Sequence, residues 1–380
     1  MAGQRRLGGG AFILILVALL AYSGCYVADF SGVAWRGVGG TTLGGVDPCA
    51  GVRAYKEPKR EPHNRLALVT GGAGFIGSTL SELLLGLGFR VRILDNLSTG
   101  SESFVKHLDL EFVKGDVLDF EVVKQSMKDV SYVFHLAAMS KVEPSLTDPK
   151  MIAFSLDVNV RGTVNVMEAA RLMGDSTSKS QSIPRVIYAA SSTHYGNQPT
   201  PFREDAAEVL SSPYAHSKRS GEAVALLYGQ LHAVPVISLR LFMVYGDREP
   251  TDGAYKVVTG VFRKTARLNK ALIIEGDGTQ FRDFVHVSDV AKAFVLAAQA
   301  ESVTNSIFNV GTGVSTSIKS VADMISSDQK FIAPRKNDLR GTLADTCSAK
   351  RVLGFEAKRG FREEMGMAVL SIRGGMRGDD

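Results

Sequence analysis

The sequence predicts an α/β fold: a doubly wound parallel sheet with a smaller C-terminal lobe. Three observations carry that prediction. Short apolar runs alternate with helix-like stretches from Leu66 onward. A glycine triplet separates the first apolar run from the first helical pattern. After Gly246 the alternation loses its regularity, which marks the lobe.

The elements follow in order. Leu66–Thr70 is an apolar run suited to a parallel strand buried on both faces. Ile76, Leu80, Leu83, Leu84 and Leu87 recur at helical spacing, and Arg90–Leu94 forms the next strand. Further strands are expected at Leu110–Val113, Tyr132–Phe134, Arg185–Ala190 and Val236–Leu241. The clearest intervening helices are Asn159–Met173 and Ser217–Leu231. The folded unit is expected over 65–375, with its nucleotide-binding core mainly 65–245 and its lobe mainly 246–375.

Two segments precede it. Arg5 and Arg6 lead an apolar run from Ala11 to about Val27, close to the lower limit for a membrane span. Residues 1–30 are read as an uncleaved signal-anchor, with a cleaved leader as the alternative. Positive charge before the run places the remainder in a secretory lumen (Golgi or endoplasmic reticulum) or outside the cell. Residues 31–64, rich in Gly and then in Lys, Arg, Glu and Pro, read as a flexible stem; an organelle-targeting leader would look similar.

Composition narrows the function classes. Hydrophobic residues at 45% and charged residues at 22% are ordinary for a globular protein. The net charge of +5 comes without a Lys/Arg block, so no nucleic-acid partner is expected. The surplus reads as solvated surface, or more sharply as a pull on anionic substrates such as diphosphates. Cys25, Cys49 and Cys347 read as neither a disulfide framework nor a metal cluster. A Cys49–Cys347 bridge is the alternative and is not favoured.

Gly71, Gly74 and Gly77 stand between strand and helix, where such glycines bind a dinucleotide. Gly71 permits the turn, Gly74 admits a pyrophosphate to the backbone, and Gly77 lets the helix approach the sheet. Free N–H groups at the helix start favour the phosphate charge. Asp95 closes the second strand, where its carboxylate would accept ribose hydroxyls and repel a 2′-phosphate, favouring NAD over NADP. Asp116, after the third strand, is placed to hold the adenine.

Tyr214 and Lys218 lie four residues apart, on one face of the expected helix. An ammonium beside a phenol favours the phenolate, so Tyr214 can take a proton from a hydroxyl near neutral pH. Upstream, Ser191-Ser192-Thr193-His194-Tyr195-Gly196 ends a strand on the edge where open α/β sheets bind ligands. His194 and His216 read as partly exposed loop or helix residues rather than as catalytic groups.

These residues resemble the extended short-chain dehydrogenase/reductases, the NAD-dependent epimerase/dehydratase family, over about Leu66 to Met367. The resemblance rests on the glycine loop, Asp95-Asn96-Leu97-Ser98-Thr99-Gly100, His135-Leu136-Ala137-Ala138, the Tyr214/Lys218 pair, Gly276–Phe284 and Asn309-Val310-Gly311. It implies a Rossmann core, bound NAD and a homodimer. It implies Ser191, Tyr214 and Lys218 as catalytic residues. Phe75, Ile76, Asn96, Ser98, Thr99, Gly100, Val117, Leu136, Ala137, Ala138 and Phe242 would join the residues above at the cofactor. Arg282 and Arg335 would grip a nucleotide diphosphate, and Arg340 stands where relatives are often basic.

Within the family the chain is most similar to UDP-sugar 4-epimerases. Dehydratases and decarboxylases carry a carboxylate shortly after the catalytic Ser/Thr; after Ser191 this chain has Ser192 and Thr193. The implied reaction oxidises C4 of a UDP-sugar to a transient ketone and reduces it from the other face, regenerating NAD. Dehydratase, decarboxylase or reductase chemistry is the alternative. Two positions bear on the substrate. Met243 stands where relatives usually have Asn, and it cannot donate that hydrogen bond to a diphosphate. Thr342 aligns with a gate where a smaller residue admits N-acetylated sugars. Asn96-Leu97-Ser98 is formally a glycosylation sequon but lies in the expected cofactor loop.

Overall fold

The computed structural model describes residues 49, 55–140, 142–174, 182–251, 257–334 and 339–367. Seven parallel strands form the main sheet, in the order β10-β6-β5-β4-β1-β2-β3. They are β1 (Leu66–Thr70), β2 (Arg90–Asp95), β3 (Glu111–Lys114), β4 (Val130–His135), β5 (Arg185–Ser191), β6 (Val236–Leu241) and β10 (Ser306–Val310). Order reverses between β1 and β4, the switch point at which such sheets open a crevice.

Alternation along each strand supplies both faces of the sheet. Ala67 and Val69 of β1 join one core, with Ile93, Phe134, Ile187 and Leu239. Helices α1 (Phe75–Gly86) and α8 (Val287–Gln299) cover that face through Leu80, Leu84 and Phe294. Leu66 and Leu68 face the opposite core with Val133, Val186 and Tyr188. There α2 (Phe120–Ser126), α5 (Gly162–Gly174) and α6 (Pro213–His232) supply Val123, Val166 and Ala225. Burial on both faces explains why these strands read as continuous apolar runs. Two short helices, α3 (Val142–Thr147) and α4 (Pro149–Leu156), lead into α5 through a π-helical turn at Asp157–Arg161.

The lobe has its own core of Tyr245, Phe262, Leu272, Ile274, Phe284 and Val321. It contains β7 (Met243–Tyr245), β8 (Leu272–Glu275), β9 (Phe281–His286), β11 (Ser315–Ser317) and β12 (Gln329–Ile332), with helices α7 (Val258–Arg267) and α9 (Ile318–Ile325). Part of the stretch 246–375, expected mainly for the lobe, lies elsewhere. Helix α8 and strand β10 return to the main sheet, β10 pairing in parallel with β6 along Ser306–Val310. Periodicity shows that a strand exists but not which sheet receives it.

Two further expectations change. Tyr55–Asn64, the end of the expected flexible stem, follows the surface of the folded unit. Lys56 N–H donates to Gly354 O at 2.9 Å, Glu61 N–H to Leu87 O at 2.7 Å, and Gln299 bonds both ways with the Lys59 backbone. Cys49 is disulfide-bonded to Cys347, the first residue of α10 (Cys347–Leu353), with Cα atoms 5.2 Å apart. A sequence separation of 298 argues against pairing in sequence, but the docked segment brings the ends together. The apolar run of the expected signal-anchor lies outside the described residues, and among those described no helix is long and apolar enough to cross a membrane.

A bridge closing so long a loop removes freedom from the unfolded chain. Cys347→Ser is expected to lower stability by about 2–5 kcal/mol, read as a fall in Tm. Peptide mapping without reductant should recover Cys49 and Cys347 in one linked fragment, and two separate peptides would contradict the bridge.

Candidate active site

The β1–α1 turn forms one wall of the site. Gly71 sits at φ +71° with Ala137 against it: an added Cβ would lie 2.8 Å from the Ala137 nitrogen. At Gly77 an added Cβ would lie 2.1 Å from Gly71 O, so only glycine lets the helix start this close to the turn. Gly74 caps α1 without a side-chain hydrogen bond, leaving first-turn N–H groups directed at the cleft. The turn is braced from behind. Asp95 accepts the N–H groups of Ala73 at 2.9 Å and Leu97 at 2.8 Å, and the Asn96 amide donates to Asp116 at 2.8 Å.

These groups line a cleft of about 540 Å³ along the C-terminal strand ends. Gly71, Gly74, Phe75, Ile76, Gly77, Asp95, Asn96, Ser98, Thr99, Asp116, Val117, Leu136, Ala137 and Ala138 all border it, as do Tyr214 and Lys218. An anion-ready helix start, an acidic strand end and a Tyr/Lys pair thus share one cavity. The size and donor pattern suit a dinucleotide with its pyrophosphate at the α1 N-terminus.

Helix α6 presents the Tyr/Lys pair because Ser212 caps it, its hydroxyl accepting Ala215 N–H at 3.1 Å, and Pro213 opens its first turn. Tyr214 is partly buried and Lys218 almost wholly so. Lys218 Nζ donates to Ala189 O at 2.5 Å and lies 4.6 Å from the Tyr188 ring centre. Burial draws the Lys218 pKa down to about 7, opposed by the negative charge of Glu222. Beneath the site, His135 bonds Thr70 at 2.7 Å and Thr163 at 3.1 Å. Thr163 spends its own proton on Asn159 O, so His135 donates from Nε2 and accepts at Nδ1. Burial lowers the His135 pKa to about 3, with Lys218 adding to the effect, and the ring stays neutral.

Other expected residues fall elsewhere. Ser191 ends β5 just beyond the cleft-lining Ala190, its hydroxyl 2.9 Å from that of Thr193. Gly100 does not border the cleft; it packs against Ala73 behind the glycine turn. Phe242 does not border it either. Alternation at the end of β6 turns Leu241 and Met243 inward, and Phe242 packs with Tyr195 and Phe202 instead. Arg282 bonds the carbonyls of Phe281 and Leu339, each at 2.8 Å, joining β9 to the residue before Arg340. Arg340 borders a second, more open hollow of about 780 Å³ in the lobe, with Asp277, Phe331 and Pro334. That hollow is larger than the cleft, but its lining includes neither the Tyr/Lys pair nor the glycine turn, so we assign the chemistry to the cleft. Arg335 lies outside the described residues. Thr342 is buried, its N–H bonding Phe281 O at 3.1 Å.

Sequence reasoning missed some of the apolar lining, including Met139, Phe154, Val158, Pro250 and Val257. No polar signature marks these positions. His194 is fully buried rather than partly exposed, while His216 is exposed on α6.

Residues 67–311 match the model described as the NAD dependent epimerase/dehydratase family. UDP-glucose 4-epimerase of Mycolicibacterium smegmatis is 35% identical over 319 residues, covering 80% of this chain and 98% of that protein. The UDP-N-acetylglucosamine 4-epimerase of Methanobrevibacter ruminantium, solved with UDP-N-acetylmuramic acid, superposes with a TM-score of 0.74 at 30% identity, covering 82% of this chain and 99% of that one. The Thermus thermophilus UDP-glucose 4-epimerase solved with NAD gives 0.72 at 31% identity, over 81% and 99%.

The glycine geometry gives a paired test. Gly77→Ala should cost the purified protein its retained dinucleotide, measured by chromatography of the acid-released cofactor. Gly86→Ala, where an added Cβ meets nothing within 4 Å, should retain it and gain about 0.5–1 kcal/mol of stability. Full cofactor content in the Gly77 variant would refute this account of the turn.

Proposed function

The chain belongs to the NAD-dependent epimerase/dehydratase family and uses NAD, and on that premise we propose that it is a UDP-sugar 4-epimerase working through a transient 4-keto sugar. One observation carries the reading: Tyr214 and Lys218 share a cleft with the glycine turn and Asp95, while Ser192 and Thr193, not carboxylates, follow Ser191. A hydroxyl-bearing pair cannot supply the acid an elimination needs.

NAD held in the cleft would supply the hydride exchange at C4 of the sugar. The remaining work falls to side chains. Tyr214 removes the proton of the C4 hydroxyl and later restores it, with Lys218 stabilising the phenolate. Ser191 hydrogen-bonds the reacting oxygen from the end of β5. The glycine turn holds the pyrophosphate, with Asp95 at the ribose and Asp116 at the adenine. Arg282, Arg335 and Arg340 hold the UDP diphosphate. Met243 gives the cleft an apolar wall where relatives place an amide, and Thr342 leaves room for a substituent at C2.

Assembly and location belong to the same proposal. Half-exposed Ile152 and Leu156 on α4, with Leu227 and Leu231 on α6, support a homodimer through helices flanking the sheet. The Cys49–Cys347 bridge supports an oxidising compartment, in keeping with a secretory-membrane anchor or a leader in residues 1–30.

The purified holoprotein should interconvert one C4-epimeric pair in a panel of UDP-glucose, UDP-glucuronate, UDP-xylose and UDP-N-acetylglucosamine, resolved by anion-exchange chromatography. Tyr214→Phe should lower turnover at least about 10³-fold while NAD remains bound. A decarboxylated or dehydrated product, or undiminished turnover in the variant, would overturn the assignment.

A further inference from the structure

Directly behind the Tyr214–Lys218 face lies a cluster of buried charge that the reaction above does not use. Glu222 is one turn beyond Lys218 on α6, so Tyr214, Lys218 and Glu222 follow one another along a single helix face. Its carboxylate is fully buried and receives three donors: Ser238 Oγ at 2.7 Å, Arg240 Nη2 at 2.7 Å and Arg240 Nε at 3.2 Å. Arg240 projects from β6 opposite Ala190, the residue before Ser191. Its Nη2 also reaches Glu208 at 2.6 Å, and its guanidinium lies 5.0 Å from the Tyr195 ring centre. His194, three residues after Ser191, sets Nδ1 3.5 Å from Glu222 Oε2; neither of its ring nitrogens makes a hydrogen bond.

Glu222 thus ties together three elements around Tyr214, Lys218 and Ser191. It sits on the helix of Tyr214 and Lys218, bonds the strand beside Ser191, and faces the turn that follows Ser191. Burial opposes ionisation of Glu222, but the His194 ring beside it and the hydrogen bonds and charge of Arg240 outweigh that cost and hold its pKa far below the usual carboxylate range. His194 stays neutral because burial outweighs the pull of Glu222.

Lys218 has a different problem. A buried ammonium favours losing its proton, and neutral Lys218 can no longer stabilise a Tyr214 phenolate. The groups facing it among the described residues are Tyr214 and Glu222 on its own helix, Tyr188 on β5 and His135 on β4, with Arg240 and His194 beyond Glu222. His135 and Tyr188 are uncharged, since burial lowers one pKa and raises the other. Glu222 is therefore the anion that favours the ammonium.

We propose that Glu222 is a positioning residue for the reaction: its fixed negative charge keeps Lys218 protonated, and its bonds to Arg240 and Ser238 hold α6 in register with the Ser191 strand end. This rests on the roles of Tyr214 and Lys218 given above. Its test therefore includes a measurement that needs no turnover.

Glu222→Gln removes the charge and keeps the shape, its carbonyl still able to accept from Ser238 and Arg240. In holoprotein carrying ¹³Cε-lysine, with the Lys218 signal assigned by its loss in Lys218→Arg, the Lys218 titration midpoint should fall by about one unit or more in Glu222→Gln. The alkaline limb of kcat should move down by the same amount, with KM changed less than kcat. Glu222→Asp, which restores the charge, should bring the midpoint back toward that of the parent. If the glutamine variant does not fold, Glu222→Met/Arg240→Met replaces the buried pair with apolar volume, a change proteins often tolerate. It should lower the midpoint in the same direction. A Lys218 midpoint unchanged in a folded variant lacking Glu222 overturns the proposal, whatever happens to Tm. A lowered midpoint in a protein that epimerises no sugar in the panel would sustain the electrostatic claim and sink the reaction assigned above.

Discussion

With both faces of the seven-stranded sheet covered by helices, functional side chains can gather only along the edge where the strands end. The rest of the molecule follows from that constraint. First-turn amide N–H groups without a partner in the helix collect at the β1–α1 turn, which makes the turn a receptor for negative charge. Asp95 and Asp116 close adjacent strands, so they reach the same cleft although 20 residues separate them. The lobe completes the cleft from the other side through Met243, Pro250 and Val257.

Charge inside such a fold is costly unless paired, and the catalytic helix carries two buried ionisable groups one turn apart. Arg240 completes the arrangement from β6 and shares itself between Glu222 inside and Glu208 nearer the surface. Glu208 in turn bonds Arg219, so the chain of charge runs from the core beneath the active site to solvent. A metal ion would compete poorly for the carboxylates around His194, because a guanidinium already stands between them.

The sequence made the nucleotide half of this site legible. Glycine spacing, the acidic strand ends and Tyr214/Lys218 are local signals, and each sits on the element expected of it. The four main-sheet strands expected after the glycine turn and second strand match within about two residues at each end, and in β4, β5 and β6 the apolar runs report double-sided burial. What failed was nonlocal. Nothing in Ser306–Val310 says that it pairs with β6 rather than with the lobe. Phe242 looked like a lining residue, yet one step of strand alternation turned it away and Leu241 inward. Glu222 escaped notice because a glutamate on a helix ordinarily faces water, and only its spacing of eight from Tyr214 hinted otherwise. The Cys49–Cys347 bridge stays an unfavoured alternative in the sequence for the converse reason, its ends being distant in sequence and adjacent in space.

That bridge also changes how the molecule would bear force. The sulfur link enters the fold at the start of α10, ahead of the hydrogen bonds that dock Tyr55–Asn64. Tension applied to the chain before Cys49 therefore passes through the link into α10, bypassing the docked segment and β1. The nucleotide-binding turn that follows β1 is shielded from any pull on that end. With the sulfurs reduced, the same pull would peel residues 55–64 from the surface and load the first strand directly.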